Sequence, residues 1–207
     1  MNFALDAKSL EIQRQARKLA ASVESVAVEA DESNDIHPTV LSELQASKLS
    51  ELMVPAEFGG RAEQLDPLAI CLVREALMAT SSHLDSLFAL QGIGSYAITI
   101  GGSPEQRMDW LPRVATAQAL AALALSEQGA GSDLKAVSTK LVPKGDGLLL
   151  QGSKSFISNA GSAAFYVVFA KEPSGLSLVL VPADAAGVSV TPTPELIAPH
   201  VLGDVHF

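Results

Sequence analysis

A glycine-rich segment is the first part of this sequence whose residue types suggest chemistry. Residues 122–137 read ALALSEQGAGSDLKAV, in which two serines and two acids surround Gly-Ala-Gly. Glycines leave backbone N–H groups uncovered, and N–H groups that converge in a loop bind anions such as phosphate. The hydroxyls of Ser126 and Ser132 add two further donors. The residues alone leave open a phosphate or cofactor loop and a tight turn, and they favour the turn.

Two common phosphate-binding motifs do not fit this segment. A Walker loop requires Lys-Ser or Lys-Thr after the glycines, and Lys135 is misplaced for that role. A Rossmann fingerprint requires a helix after the strand, and no helical pattern follows these glycines. Glu127 and Asp133 flank the loop. We predict that they fix it through bonds to backbone N–H groups rather than form an acid–base pair.

A second segment places an aromatic side chain close to hydroxyl groups. Residues 152–170 read GSKSFISNAGSAAFYVVFA, with Ser158 two positions after Phe156. An aromatic ring beside a hydroxyl can support a flat heteroaromatic ring while the hydroxyl bonds a ring nitrogen or oxygen. The alternative is a hairpin in which Phe156 and Ile157 face opposite sides of a sheet. Composition alone favours the hairpin.

Metal and thiol chemistry are not indicated by the other reactive residue types. The four histidines, His37, His83, His200 and His206, have no ligand spacing, so no metal site is expected. Cys71 lies between two apolar residues of a helical pattern and is expected to be buried and inert. A single cysteine also excludes an internal disulfide.

A helical pattern of apolar residues precedes both segments. Up to about residue 118, apolar residues recur at steps of three and four, as Ile12, Ala16 and Leu19 do. Proline marks three helix starts, which are His37-Pro38, Asp66-Pro67 with a capping acid, and Ser103-Pro104 with a capping serine. Gln106 completes a capping box with Ser103. The first part of the chain is therefore predicted to be helical.

The pattern changes to short strands after Ala119. Runs rich in Val and Leu alternate with Gly, Pro and Ser, and KGDG at 144–147 predicts a hairpin turn. No helical pattern separates these runs, which excludes a doubly wound sheet. We predict an α+β chain of two domains. Residues 1–118 form an all-helical domain, and residues 119–207 form an antiparallel β-barrel or β-sandwich, incomplete at its C-terminal end.

Composition and charge argue against several classes of protein. The net charge is −9 without a basic cluster, so a nucleic-acid partner is not expected. No apolar run reaches the roughly 18 to 20 residues that span a bilayer, and the charged N-terminus lacks the apolar core of a signal peptide. The sequence therefore predicts a cytoplasmic protein with no membrane span.

Four segments, in chain order, resemble the acyl-CoA dehydrogenase family. MVPAEFGG and GSPEQRMDWLPRVA are similar to that family's Pro-x-x-Gly-Gly and Gly-x-x-Glu-Gln-Lys segments. ALSEQGAGSDLKAV resembles the signature in which a strand ends in Thr or Ser, Glu and then Gly-Ala-Gly-Ser-Asp. GSKSFISNA resembles the flavin motif Gly-x-Lys-x-Trp-Ile-Thr-Asn. The resemblance covers nearly all of the chain and implies an FAD-dependent oxidoreductase of fatty acid metabolism.

The resemblance also implies roles for residues of the glycine-rich segment. In the family, the strand before the glycines lies along the isoalloxazine, which assigns Leu123, Leu125 and Ser126 to the cofactor ring. Gly131 and Ser132 are expected to approach the cofactor diphosphate. Ser132 is also expected to contact the acyl thioester.

The second segment carries the remaining expected contacts with the flavin. Phe156 stands in the place of the family's usual Trp beside the ring, and it lacks the indole N–H. Ile157 matches the family's isoleucine and is assigned to the cofactor as well. Ser158 stands in the place of the Thr near the reactive ring nitrogen.

The implied reaction is α,β-dehydrogenation of an acyl-CoA or of a carrier-protein acyl thioester. A carboxylate base removes the α-proton while a hydride leaves the β-carbon for the flavin, and hydrogen bonds polarise the thioester carbonyl. In the family the base is a Glu of a C-terminal helical domain. We therefore expect the base beyond Phe207 and no turnover from residues 1–207 alone.

The resemblance implies two kinds of protein partner. The first is an electron-transfer flavoprotein or another electron acceptor, and the second is a further copy of the chain in a dimer or tetramer. Two alternative functions stay open. One is a non-catalytic half that binds flavin or thioester and acts with a partner, and the other is a flavin monooxygenase or oxidase on the same scaffold.

Overall fold

Six α-helices form the first part of the computed structural model, which describes residues 4–193 and 200–207. They are α1 (Ala7–Val23), α2 (Ala27–Asp31), α3 (Pro38–Ser47), α4 (Pro67–Met78), α5 (Ser82–Gly101) and α6 (Pro104–Ala115). Shorter 3₁₀ turns lie at Glu24–Val26, Leu49–Met53 and Ala56–Phe58. The long helix α5 packs against α3, α4 and α6. Within the described residues, no helix is long and apolar enough to cross a membrane.

The helix starts follow the capping signals of the sequence. Pro38 is the first residue of α3, and the carboxylate of Asp66 accepts a hydrogen bond from the N–H of Ala69 at the start of α4. Ser103 and Gln106 form a reciprocal capping box at the start of α6. These predictions are confirmed, because each depends on residues within one turn of the helix start.

Eight β-strands follow α6 in the described part of the chain. They are β1 (Ala121–Ala124), β2 (Lys140–Lys144), β3 (Gly147–Gln151), β4 (Ser153–Ser158), β5 (Phe165–Glu172), β6 (Gly175–Pro182), β7 (Ser189–Pro192) and β8 (Leu202–His206). β2 and β3 form the predicted hairpin, with Gly145 in a left-handed conformation at its turn. The division of the chain near residue 118 falls between α6 and β1, and it stays a prediction.

The strands form two sheets rather than a closed barrel, and one sheet is mixed. β4, β8 and β7 form an antiparallel sheet. In the other sheet, β5 pairs antiparallel with β6 but parallel with β1 and with β2. The helical part followed by a β-sandwich confirms the predicted fold class. The pairing is mainly antiparallel, and the two parallel pairings, of β5 with β1 and with β2, join strands that are not hairpin neighbours.

Strand β1 lies between the two hydrophobic clusters of the chain. Ala121 packs in the cluster built mainly from the helices, and Leu123 packs against the same cluster. Ala122 and Ala124 pack in the cluster of the β-strands. This alternation follows from the two-residue period of a strand, and it makes β1 one of the elements that join both parts of the molecule.

A buried glutamine of α5 fixes the start of β1. The side-chain amide of Gln91 donates to the carbonyl oxygens of Val114 and Ala119 at 3.1 and 3.0 Å, and its oxygen accepts from the N–H of Ala121 at 3.1 Å. Gln91 is fully buried. Its three hydrogen bonds therefore tie the chain between α6 and β1 to the central helix.

Cys71 is exposed on α4, so the expectation that it is buried was wrong. The buried residues of α4 are Ala69, Leu72, Val73 and Leu77. This face repeats at helical spacing and leaves position 71 on the solvent side, although both sequence neighbours of Cys71 are apolar.

Candidate functional site

The chain just after β1 lies against β4, which brings the two candidate segments together. The N–H of Ser155 in β4 donates to the carbonyl oxygen of Ser126, just after β1, at 2.9 Å. Phe156 and Ser158 follow Ser155 on the same strand. Ser126 and Phe156 are therefore neighbours in space although they are distant in sequence.

Glu127 holds the base of the glycine-rich loop. Its backbone N–H and carbonyl both bond Ala130, which closes a tight turn. Its carboxylate accepts hydrogen bonds from the N–H and hydroxyl of Ser138, both at 2.6 Å, and from the N–H of Thr139 at 3.0 Å. One residue therefore holds the loop at two points, through its backbone at Ala130 and through its side chain at Ser138 and Thr139. The prediction that Glu127 structures the loop is confirmed.

Lys154 of β4 joins the loop to the second segment. Its fully buried ammonium donates to the Glu127 carboxylate at 2.8 Å and to the carbonyl oxygen of Leu125 at 3.0 Å. Burial of the Glu127 carboxyl raises its pKa, but hydrogen bonds from Lys154, Ser138 and Thr139 outweigh burial and hold the pKa well below its usual range. Glu127 is therefore a fixed anion rather than a proton acceptor.

Asp133 closes the next part of the loop in the way the sequence predicts. Its carboxylate accepts a hydrogen bond from the N–H of Lys135 at 3.0 Å and caps the 3₁₀ turn Leu134–Ala136. Both acids of the loop thus bind backbone groups, so neither is available as half of an acid–base pair.

The fold itself gives no reason for the glycines of the loop. Gly129 and Gly131 are exposed, and neither has the left-handed backbone that favours glycine. A Cβ atom built on either residue meets no other atom of the described chain within 4 Å. Ser132 is exposed beside Gly131. The bare backbone at this point is thus accessible from outside, which suits a loop that a ligand approaches closely.

Phe156 has the most unusual backbone of the site. Its φ is +58°, a left-handed value that is rare for an aromatic residue, and its side chain is 60% exposed. Its N–H donates to the carboxylate of Asp204 on β8 at 3.1 Å. Residues held in such sparsely populated backbone conformations cluster at ligand sites, so Phe156 is a candidate for a ligand contact.

Phe156 and Ile157 face opposite sides of β4, as the hairpin interpretation requires. Ile157 is buried in the cluster that contains Ala122 and Ala124. Its side chain is therefore core, and only its backbone is left for a ligand. Ser158 is half-buried, with its hydroxyl 3.5 Å from a ring nitrogen of His200.

The two leucines before the loop take part in structure. Leu123 is half-buried against the cluster of the helices. Leu125 is also half-buried, and its carbonyl oxygen accepts from Lys154. The roles of these leucines toward a cofactor stay predictions, as do those of the serines, Gly131, Phe156 and Ile157.

Three residues that organise the site were missed by sequence reasoning. Lys154 carries a weak signal, since a lysine inside a strand needs a partner when it faces the core. Asn159 follows β4 directly in a left-handed conformation, and its side chain donates to the carbonyl oxygen of Ala121 at 3.1 Å. Asp204 has no local signal, because Phe156 is 48 positions away.

Two family models match this arrangement of a helical part and a β part. The model of the acyl-CoA dehydrogenase N-terminal domain matches residues 6–118. The model of the acyl-CoA dehydrogenase middle domain matches residues 122–206. Together the two matches take in nearly the whole chain.

Two relatives of this chain are named as an acyl-CoA dehydrogenase or as a dehydrogenase of a particular acyl-CoA. The chain is 34% identical to cyclohexane-1-carbonyl-CoA dehydrogenase of Geobacter metallireducens over 168 residues, which are 79% of this chain and 44% of that protein. It is also 31% identical to a protein of Mycobacterium leprae named "Probable acyl-CoA dehydrogenase fadE25". The 196 aligned residues are 92% of this chain and 50% of that protein. The chain therefore spans about half the length of the curated relatives it matches.

Solved structures are similar over the whole chain. A glutaryl-coenzyme A dehydrogenase in complex with glutaryl-CoA superposes with a TM-score of 0.90 at 25% identity, covering 100% of this chain and 55% of that chain. An acyl-CoA dehydrogenase of Bacillus anthracis complexed with FAD gives a TM-score of 0.86 at 25% identity, covering 98% of this chain and 36% of that chain. A structure described as an electron transferring flavoprotein of Acidaminococcus fermentans gives a TM-score of 0.91 at 25% identity, covering 100% of this chain and 56% of that chain.

Proposed function

Since the chain belongs to the acyl-CoA dehydrogenase family, a family of enzymes, we propose that residues 1–207 form the part of such a dehydrogenase that binds FAD and an acyl thioester. One observation carries this proposal. The segment that leads into an exposed glycine loop, whose glycines have no structural reason, is hydrogen-bonded at Ser126 to the residue before a strained, exposed aromatic side chain, Phe156. A ligand that is both anionic and flat fits this pair of features, and FAD is such a ligand.

The residues present fit the two ends of FAD. The uncovered backbone at Gly129 and Gly131 suits the diphosphate, because no atom of the described residues beyond their chain neighbours lies within 4 Å of a Cβ built there. The exposed ring of Phe156, with the hydroxyls of Ser126 and Ser158 on the same two segments, suits the isoalloxazine. When bound, FAD supplies the hydride acceptor of the dehydrogenation.

The substrate class rests on the relatives. Those reported above are named for CoA thioesters, and one structure holds glutaryl-CoA. We assign the thioester contact to Ser132, which is exposed beside the glycines. An electron transferring flavoprotein as acceptor, assembly into a homo-oligomer and a cytoplasmic location belong to the same proposal.

Binding of FAD is tested with a pair of glycine variants. Gly131→Val is expected to weaken FAD binding at least about tenfold, because overpacking costs roughly 1–3 kcal/mol where two groups must touch. Gly101→Val is the matched control, because Gly101 is also free of neighbours and lies at the end of α5. Affinity is measured by quenching of flavin fluorescence, and circular dichroism checks the fold. A parent chain that does not bind FAD, or two variants with the same affinity, would contradict the proposal.

The carboxylates of the site already bond other groups of the chain, and this favours a second function. In that function the chain is a flavin- and thioester-binding half that acts with a partner. Glu127 binds Lys154, Asp133 binds the N–H of Lys135, and Asp204 binds the N–H of Phe156. A general base needs a free carboxylate close to the substrate. Therefore we assign the base to none of these three acids.

Anaerobic addition of acyl-CoAs distinguishes the two functions. We expect residues 1–207 to bind FAD without bleaching of its visible absorbance, since removal of an α-proton needs a positioned base worth about 10² to 10⁴-fold. Photochemical reduction of the same sample is the control that the bound flavin can be reduced. Rapid bleaching by an acyl-CoA would mean that a base lies within these residues.

A further inference from the structure

Asp204 stands opposite a bulge in strand β4. Lys154 pairs with Val205 and Ile157 pairs with Gly203, so two residues of β4, Ser155 and Phe156, face the single residue Asp204 of β8. A bulge of this kind leaves a backbone N–H without its partner in the neighbouring strand. Here the carboxylate of Asp204 accepts that N–H, from Phe156, at 3.1 Å.

The bulge holds Phe156 in a conformation that its own ring does not stabilise. The side chain is 60% exposed, so packing contributes little to keep φ at +58°. On the preceding residue, the N–H of Ser155 bonds the carbonyl oxygen of Ser126. The bonds to Ser126 and Asp204 therefore fix the two successive N–H groups of the bulge.

We propose that Asp204 is a positioning residue of the cofactor site, which holds Phe156 in its left-handed conformation so that the ring stands ready against the isoalloxazine. This inference rests on the proposed function. Asp204 acts through the Phe156 backbone and not through a contact with the ligand. β8 is the central strand of its sheet, between β4 and β7, which gives the carboxylate a rigid support.

The first test measures the affinity for FAD. Asp204→Ala is expected to weaken binding about tenfold, and Asp204→Asn, whose side-chain oxygen still accepts, is expected to stay within about twofold of the parent. Asp66→Ala is the control, because it removes a carboxylate bond to a backbone N–H at the start of α4. That variant is expected to lower stability without changing the affinity. Equal affinities for the parent and Asp204→Ala, or equal weakening by both Asp204 variants, overturns the inference.

The second test needs no cofactor and separates this inference from the proposed function. Glycine adopts a left-handed backbone without strain, so Asp204→Ala is expected to shift the urea midpoint less in a Phe156→Gly background than in the parent. Should Asp204→Ala alone not fold, recovery in the Phe156→Gly background supports the inference and failure to recover overturns it. Equal shifts in both backgrounds also overturn it. A parent chain that binds no FAD defeats the proposed function, and this cycle then decides the role of Asp204 by itself.

Discussion

Replacement of Lys154 by alanine is expected to destabilise the chain by about 3–5 kcal/mol, the usual consequence of leaving one member of a buried ion pair without its partner. The ammonium of Lys154 is fully buried and bonds both the Glu127 carboxylate and the carbonyl oxygen of Leu125. In the variant, Glu127 keeps its bonds from Ser138 and Thr139 but loses the only cation that an ion pair of the described chain gives it. Both candidate segments should therefore loosen together.

Urea unfolding at pH 7 measures this effect, with Lys140→Ala as the matched control. Lys140 is an exposed lysine of the neighbouring sheet, and its removal is expected to change the free energy of unfolding by at most about 0.5 kcal/mol. The double variant Lys154→Met with Glu127→Gln removes both charges and is expected to regain most of the loss. A loss below about 1 kcal/mol for Lys154→Ala would contradict a buried pair of this kind.

The pair of Glu127 and Lys154 also makes the free energy of unfolding depend on pH, in a direction that follows from the lowered pKa of Glu127. The pKa of Glu127 is lower in the folded chain than its ordinary value of 4.5. A lowered folded pKa means that the unfolded chain binds the proton more readily. The stabilisation is therefore complete above about pH 4.5 and is lost as the pH falls below it, which is why the measurement belongs at pH 7.

Local sequence signals predicted the helix start of α6, the hairpin turn and the bonds of the glycine-rich loop. The capping box of Ser103 and Gln106 and the turn at Gly145 depend on residues within a few positions, and both are present. Glu127 was predicted to bind backbone groups near its own loop, and it does. Such features need no knowledge of the rest of the chain.

The features that the sequence did not predict join distant residues. Phe156 was recognised as an aromatic residue at a flavin-type position, but its left-handed backbone depends on a bulge opposite Asp204. The lysine that neutralises Glu127 lies 27 positions away, and the strand that pairs with β1 lies beyond three others. Periodicity describes each strand by itself and does not say which strands meet.

Gly92 and Gly94 of α5 show this limit on a smaller scale. From the sequence, either glycine could make room for a ligand chain or for close packing, and nothing distinguishes the two. In the fold, a Cβ atom on Gly94 would lie 2.7 Å from the Cβ of Ala121 and 2.8 Å from the backbone nitrogen of Ala122. A Cβ atom on Gly92 would lie 2.6 Å from the sulfur of Met53. Gly94 therefore serves the contact between α5 and β1, whereas Gly92 faces one flexible side chain.

Gly94→Ala is accordingly expected to destabilise the chain by about 2 kcal/mol, even though alanine favours a helix over glycine by about 1 kcal/mol. The obstacle is backbone of β1, and β1 cannot move away without breaking the bond from the N–H of Ala121 to Gln91. Gly92→Ala is the matched control on the same helix. It is expected to stay within about 1 kcal/mol of the parent, because the Met53 thioether can change rotamer. Urea unfolding measures the free energy of unfolding of both variants. An equal loss of stability in the two variants, or a larger loss in Gly92→Ala, would mean that close packing on β1 is not what requires a glycine at position 94.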